Sequence, residues 1–539
     1  MQTQHSRSHN SDPRRATHSL NHQIRSFRLA VAASGEYTEF HGGSVVSAMA
    51  AITNLVRRVN EIYEHDMGIR LVLVPENSRV VYTNKETDPF TTNIRGSITI
   101  AEAQESFDRE MGNPNYDLGI VLNTGDYGLA VPYSVCDSFV KGKACMGLAE
   151  PVGELFYILV AHEIAHQFGA SHTFNDNTGF CRGNRDRDSA MEPGTGSTLM
   201  SYAGLPCNSE SFQPFMGDYF HARSIEEIEA FIADTTLCGT IIETTNRAPT
   251  VETALHYFIP KRTPFQLVAT GSDLNDDTLS YCWEQMDVGP PQILDEPDNG
   301  LSPLFRSYPP MTNAFRTFPN MDSILHDTNS PGEKLPNTDR VMHFRVTVRD
   351  DQNMGAKGSA DTSIRVVSSA GPFRLTSHNN PEILLGEQRV RWNVDGTADA
   401  PINVTHVNLL LSTNGGRDFS ILLATNTPND GAEPVHFPRL NCTNARIKIE
   451  AVDNIFFDVN DVEITVIAAP VFTRIAMVGD DILLRWARDL SKTYYLQVTS
   501  DLGVPDWQTL GVHLNANGNE MEATVSGASS PSFFRISEF

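Results

Sequence analysis

The stretch His162-Glu163-Ile164-Ala165-His166-Gln167-Phe168-Gly169-Ala170-Ser171-His172 has the residue types and the spacing of a metal site able to do chemistry. Histidines four residues apart lie one above the other on a single helical face, so His162 and His166 can converge on one small cation. Gly169, lacking a Cβ, can take a positive φ, stop the helix and turn the chain back so that His172 brings a third nitrogen. Three neutral imidazoles leave a tetrahedral ion open at its fourth position, the pattern of catalytic zinc; structural zinc sites are closed and usually rich in cysteine. Glu163 stands beside the first ligand without being one, where a carboxylate can reach a water held by the ion and act as general base. The competing reading is a core helix whose histidines are merely hydrogen-bonded, because Leu155-Phe156-Tyr157-Ile158-Leu159-Val160-Ala161 is apolar enough to bury one side. The glycine and the third histidine weigh against it.

Downstream, "EPGTGSTLMSYAG" at 192 to 204 is a glycine-rich loop leading into a Met-Ser-Tyr turn. Together with the long histidine motif it resembles the metzincin metallopeptidases. The wording "GEYTEFHGG" at 35 to 43 and "HQFGASHTF" at 166 to 174 is most similar to the bacterial reprolysin-like (adamalysin-related) branch, over about residues 26 to 240. The resemblance implies a zinc endopeptidase acting on protein or peptide substrates, with His162, His166 and His172 on zinc, Glu163 as general base and Met200 as an apolar platform beneath the histidines. It implies two further roles. Gly128, Leu129 and Ala130 resemble the edge strand to which an extended substrate adds through main-chain hydrogen bonds; a plain turn-to-strand junction is the alternative. Tyr202 stands where a tyrosine in astacin-like and serralysin-like metzincins approaches the metal as an extra ligand. Animal reprolysins usually lack it, and a structural tyrosine on the wall of the site is the plainer reading.

These residues need a scaffold. Phe27-Arg28-Leu29-Ala30-Val31-Ala32-Ala33 predicts a buried strand, and apolar residues at helical spacing from Ser44 to His65 predict a long amphipathic helix. Ile69 to Val74 and Val80-Val81-Tyr82 read as strands, 100 to 111 as a helix, and Tyr116 to Leu122 as a further strand. Strands alternating with helices ahead of the histidine helix give an α/β (α+β) domain over 26–242. Residues 173 to 198 read as irregular, the charged run Arg182 to Asp188 as a solvated loop, His221 as a packed histidine at a helix start, and the end of "GDYFHARSIEEIEAFI" as that helix.

Beyond about residue 242 the pattern becomes short apolar strands punctuated by Pro, Gly, Asn and Asp, which predicts two or three all-β sandwiches. We place a cadherin-like or PKD-like sandwich at 243–367, an Ig-like or fibronectin-like one at 368–467 and a small β domain at 468–539. Asp273, Asn275 and Asp277 offer oxygens at alternate positions, suited to calcium, with a polar turn as the plain alternative. The β modules are candidates to bind a surface, a polysaccharide or a protein.

At 539 residues the chain is too long for one core. Its 66 acidic against 41 basic residues, a formal charge of -25, argue against nucleic acid or an anionic membrane as partner. No apolar run approaches the roughly 20 residues of a membrane span. Residues 1–25 contain no apolar core of a signal peptide and read as a disordered tail or propeptide remnant. Seven cysteines leave at least one thiol outside internal pairing; Cys136 with Cys145 and Cys181 with Cys207 are candidate staples. These counts fit a secreted, extracellular enzyme whose leader lies outside this sequence, and equally scattered buried thiols in a cytosolic one. Two other functions compete: a non-catalytic adhesion or matrix-binding protein, against which Glu163 argues, and a metal-dependent hydrolase of a non-peptide bond.

Overall fold

The computed structural model describes residues 14–15, 23–207, 211–233, 238–350, 352, 355–503, 506–526 and 532–538. The tail expected over 1–25 lies mostly outside them, and the first long strand already begins at Gln23. The chain divides into two compact units. One comprises Met1–Tyr257, Leu267–Arg316 and Ser330–Arg365, the other Phe258–Gln266, Thr317–Asn329 and Val366–Phe539.

In the first unit β1 (Gln23–Ala33) is followed by the short α1 (Gly35–Phe40), the long α2 (Val45–Met67) and β2 (Ile69–Leu73). Then come α3 (Gly96–Glu110), β3 (Leu118–Asn123), β4 (Tyr127–Ala130), β5 (Ala144–Gly147), α4 (Glu154–Gln167), α5 (Ala222–Ile232) and β6 (Thr240–Glu243). The sheet runs β2-β1-β3-β5-β4, parallel except for the antiparallel edge strand β4, with β6 antiparallel to the start of β1.

The apolar run of β1 serves two cores at once. Phe27, Leu29, Val31 and Ala33 join α2 and α4 on one face, while Ala30 and Ala32 join Ile100, Ala103 and Phe107 of α3 on the other. A strand buried on both faces needs such a continuous run rather than alternation. α2 starts where the Ser44 side chain accepts the Ser47 N–H and ends on Gly68 in the left-handed region.

The strand expected over Val80-Val81-Tyr82 is instead a 3-10 turn, Asn77–Val80, with a lone bridge from Val81 to Ala33. Asn77 explains the difference, because its amide bonds both the N–H and the C=O of Val31 and takes a neighbouring strand's place. The staple expected between Cys136 and Cys145 is also absent. Cys136 pairs with Cys238, and Cys145 is a buried thiol on β5 within the α3-side core. Cys181 and Cys207 are joined as expected.

The first unit continues into β7 (Thr250–Thr253), β8 (Thr270–Ser272), β9 (Leu279–Gln285) and β10 (Arg340–Asp350); β8 pairs with β7, and β9 with β10, both antiparallel. This β module is fused to the α/β domain by buried polar contacts. Arg349 of β10 lies 2.8 Å from Asp66 near the end of α2, and Asp66 also accepts the Phe220 N–H. The second unit is β apart from a short helix, Met321–His326. One sheet orders Ile383–Leu384, Ile464–Val466, Cys442–Ala451, His406–Ser412 and Ile421–Pro428. At the carboxy-terminal end two small sheets enclose Leu484, Trp486, Tyr494, Leu496 and Ala523. The protein is thus multidomain, an α/β domain followed by β sandwiches. Among the described residues no helix is long and apolar enough to cross a membrane.

Candidate metal centre

α4 carries His162, Glu163 and His166 and ends in a Schellman turn. The Gly169 N–H donates to His166 O and the Ala170 N–H to Ala165 O, with Gly169 at φ +92. A Cβ there would lie 2.3 Å from the Tyr133 ring, so conformation and space both require glycine. The turn returns the chain and delivers His172 to the two helix histidines. His172 Nε2 lies 3.2 Å from His162 Nε2 and 3.1 Å from His166 Nε2.

The other ring nitrogens decide what that cluster can hold. His162 Nδ1 is 2.8 Å from Leu199 O, His166 Nδ1 2.8 Å from Ala170 O, and His172 Nδ1 2.7 Å from Asn184 O. A carbonyl only accepts, so each Nδ1 carries the proton and each Nε2 turns a lone pair toward the common centre. Three lone pairs at such distances repel one another unless a cation lies among them. Burial, then the neighbouring His166 charge, hold His162 down at about 3, and burial lowers His166 and His172 as well. The rings stay neutral, the form that binds metal, and the donor set fits zinc.

Glu163 is buried beside them, and its Oε2 meets no protein partner among the described residues. Burial pushes its carboxyl up to about 8, where it can take and return a proton near neutral pH. Tyr202 lies against the cluster: its ring stacks on Phe174 at 4.5 Å and meets His172 edge-on at 4.6 Å. Burial, then the charge of Glu163, raise its phenol well above the ordinary tyrosine value, so the hydroxyl keeps its proton. Met200 is wholly buried in the apolar cluster that also holds Ile164 and Ala165 of α4. Gly128, Leu129 and Ala130 form the outer strand of the sheet, with Leu129 exposed.

The expected Asp273–Asn275–Asp277 calcium set is not assembled. Asn275 turns its side-chain oxygen to the Arg247 N–H, and Asp273 and Asp277 meet Asp350 instead. Asp273 Oδ1 accepts the Asn275 N–H, Asp277 Oδ1 accepts from Gln352 and Asp350 Oδ2 accepts from Asn246, while Asp273 Oδ2 is buried without a protein partner among the described residues.

Several residues at the centre fall outside the motifs read from the sequence. Glu192, read only as part of a loop, is fully buried and gathers the hydroxyls of Thr173, Ser197 and Thr198 with the Ser197 N–H. It thereby ties the segment after His172 to the one before Met200. The charged run Arg182 to Asp188, expected as a solvated loop, supplies Asn184, whose carbonyl holds His172, and Arg185, which bonds Asn175 and Gly289 O. His221 is the packed residue at the start of α5, its Nδ1 accepting the Arg223 N–H. Backbone carbonyls leave no trace in residue types, but the buried carboxylate was findable as a lone Glu in a run of small hydroxyl and glycine residues.

Comparison with known proteins bears chiefly on the α/β domain. No curated protein matches the chain. Among solved structures the likenesses are weak and lie with β-sandwich proteins. The N-terminal Ig1-2 module of the Drosophila receptor protein tyrosine phosphatase DLAR is 8% identical, covers 41% of this chain and 99% of its own, and has a TM-score of 0.22. The Bacteroides ovatus mixed-linkage glucan utilization locus protein SGBP-B, solved with a mixed-linkage heptasaccharide, is 12% identical, covers 53% and 62%, and has a TM-score of 0.17. At these scores neither carries an argument. The family model of the reprolysin-like metallopeptidases of family M12B does match, over residues 24–230, the segment that holds the sheet, the histidine helix and the turn beyond it. Residues 24–230 are therefore similar to the reprolysin-like metallopeptidases of family M12B.

Proposed function

We propose that this domain is a zinc-dependent endopeptidase of the metzincin type, cleaving protein or peptide substrates. The observation that carries the reading is the convergence of three neutral imidazole Nε2 atoms beside a buried carboxylate with an unpartnered oxygen. His162, His166 and His172 would hold the ion. Bound zinc supplies a Lewis acid that polarises the scissile carbonyl and makes water a nucleophile near neutral pH.

The chain's own groups do the rest. Glu163 takes the proton of the attacking water and passes it to the leaving amine, work suited to a carboxyl raised toward neutrality. An extended substrate adds to β4, pairing with Gly128 to Ala130 on their open side. Tyr202, its hydroxyl protonated, is placed to donate to negative charge developing on the carbonyl oxygen. Met200 fixes the floor of the centre by packing. Two disulfides support an oxidising, extracellular working place.

The test is metal analysis of the purified chain with a cleavage profile on a protein-derived peptide mixture, with and without chelator. One bound zinc, chelator-sensitive cleavage and its loss in Glu163→Ala are expected. Turnover of small esters but not of peptides would instead favour a hydrolase of another bond. Full biological activity in Glu163→Ala would favour adhesion.

A further inference from the structure

The methionine turn is held partly from outside the α/β domain. His162 Nδ1 donates to Leu199 O, and the Leu199 N–H donates to Tyr219 O at 2.9 Å. Tyr219 is buried, and its hydroxyl donates to Ser307 Oγ at 3.1 Å. Ser307 in turn donates to Glu284 Oε1 at 2.5 Å, and Glu284 Oε2 accepts the Ala222 N–H at 2.8 Å in the first turn of α5. Glu284 belongs to β9, and Ser307 lies between β9 and β10 of the β module. A second contact reaches the same turn: Ser197 Oγ, bound to Glu192, also lies 3.0 Å from Ser307 O.

We propose that Ser307 and Glu284 of the β module are positioning residues for the metal centre, fixing through Tyr219 the Leu199 carbonyl that sets the tautomer and ring plane of His162. A metal-ligating histidine depends on the partner of its other nitrogen, and loss of such outer partners commonly weakens metal binding by about 10- to 100-fold. Here the partner is a backbone carbonyl, so its placement depends on whatever fixes that backbone. Tyr219 does so from one side with its own carbonyl, and its side chain can swing about χ1 only if the hydroxyl leaves Ser307. Glu284, Ser307 and Tyr219 are all nearly inaccessible to water, so no solvent replaces a lost bond. The β module is on this reading part of the metal site's frame.

The inference rests on zinc binding as proposed above, and its test keeps the two apart. In the full chain, Ser307→Ala and Tyr219→Phe are compared with wild type and with Ser307→Thr, which keeps the hydroxyl. The zinc dissociation constant is read by competition with a chromophoric chelator, the ligand geometry from the absorption spectrum of the cobalt-substituted protein, and the melting temperature on metal-free protein. Zinc binding about tenfold weaker in the first two variants, a shifted cobalt spectrum, and recovery to within about twofold in Ser307→Thr are expected. Equal zinc affinity in all four proteins overturns the inference whatever the melting temperatures do. So does a loss of affinity without any spectral change that merely tracks a fall in metal-free stability. A wild type that binds no zinc fails the proposed function instead.

Discussion

The Cβ that Gly128 lacks would stand 2.1 Å from Glu163 Oε1. The edge strand and the carboxylate therefore share one space, and a methyl group on the strand must displace the end of the Glu163 side chain. Gly128→Ala is expected to keep its fold and its zinc, because the displaced group is a flexible tip, while turnover falls about 10- to 100-fold from the misplaced base. Peptide kcat, with metal content and melting temperature alongside, checks this; unchanged kcat would show that the carboxylate works equally well displaced.

Tyr202 tests whether the phenol is a donor or a ligand. Its hydroxyl keeps its proton because burial and then Glu163 oppose the anion. Tyr202→Phe should retain zinc with an affinity within about twofold of wild type and lose roughly 100- to 1000-fold in kcat, the scale of removing one well-placed donor. A clear loss of zinc affinity with the same substitution would make the tyrosine a ligand.

The Arg349–Asp66 pair gives a prediction about stability. Burial alone would raise Asp66, but the Arg349 charge, His65 and the Phe220 N–H outweigh it and hold the carboxyl well below its ordinary value. A depressed carboxylate adds stability above its unfolded pKa, near 4, and loses it as pH falls through the lower folded value. Arg349→Met leaves the charge buried without its guanidinium, at a cost of up to about 3–5 kcal/mol near pH 7. Urea unfolding of the first unit should show that gap narrowing toward pH 4, as Asp66 of the variant becomes neutral; a gap independent of pH would mean that packing, not charge, is what Arg349 provides.

Asp458, in the strand Phe457–Val459, behaves in the opposite sense. Burial raises it to about 7 although the Leu375 N–H and Arg374 favour its charge. Between about pH 4 and pH 7 the folded chain holds a proton that the unfolded chain has shed, so stability of the second unit falls as pH rises and levels off above. Asp458→Asn keeps an acceptor for Leu375 and should flatten that slope, with its advantage, at most about 4 kcal/mol, appearing above pH 7. Parallel unfolding curves of the two proteins from pH 4 to 8 would refute it.

What the sequence revealed follows the range of the interactions. The histidine helix, its stop at Gly169 and the long α2 are set by neighbours within a turn or two, so spacing alone shows them. The run from Phe27 to Ala33 reads as buried because it is apolar on both sides. Long-range pairing is another matter. Cys136 finds Cys238 rather than Cys145 because the sheet turns Cys145 into the α3-side core, and Asn77 replaces a strand by reaching back to Val31. The three carbonyls that orient the ligand rings, and the Glu192 cluster, belong to backbone paths and buried side chains that no motif encodes. At Asp273, Asn275 and Asp277 the same limit applies: Asn275 faces the Arg247 N–H while the two aspartates meet Asp350, because side-chain direction in a turn is settled by distant groups.

The bond between Cys136 and Cys238 closes a loop around the histidine helix, the Cys181–Cys207 staple and the methionine turn. A chain with the proposed peptidase activity is exposed to its own kind. A single autolytic nick anywhere inside that loop leaves both fragments on one covalent framework, so the catalytic half cannot drift apart until a reductant opens the bridge.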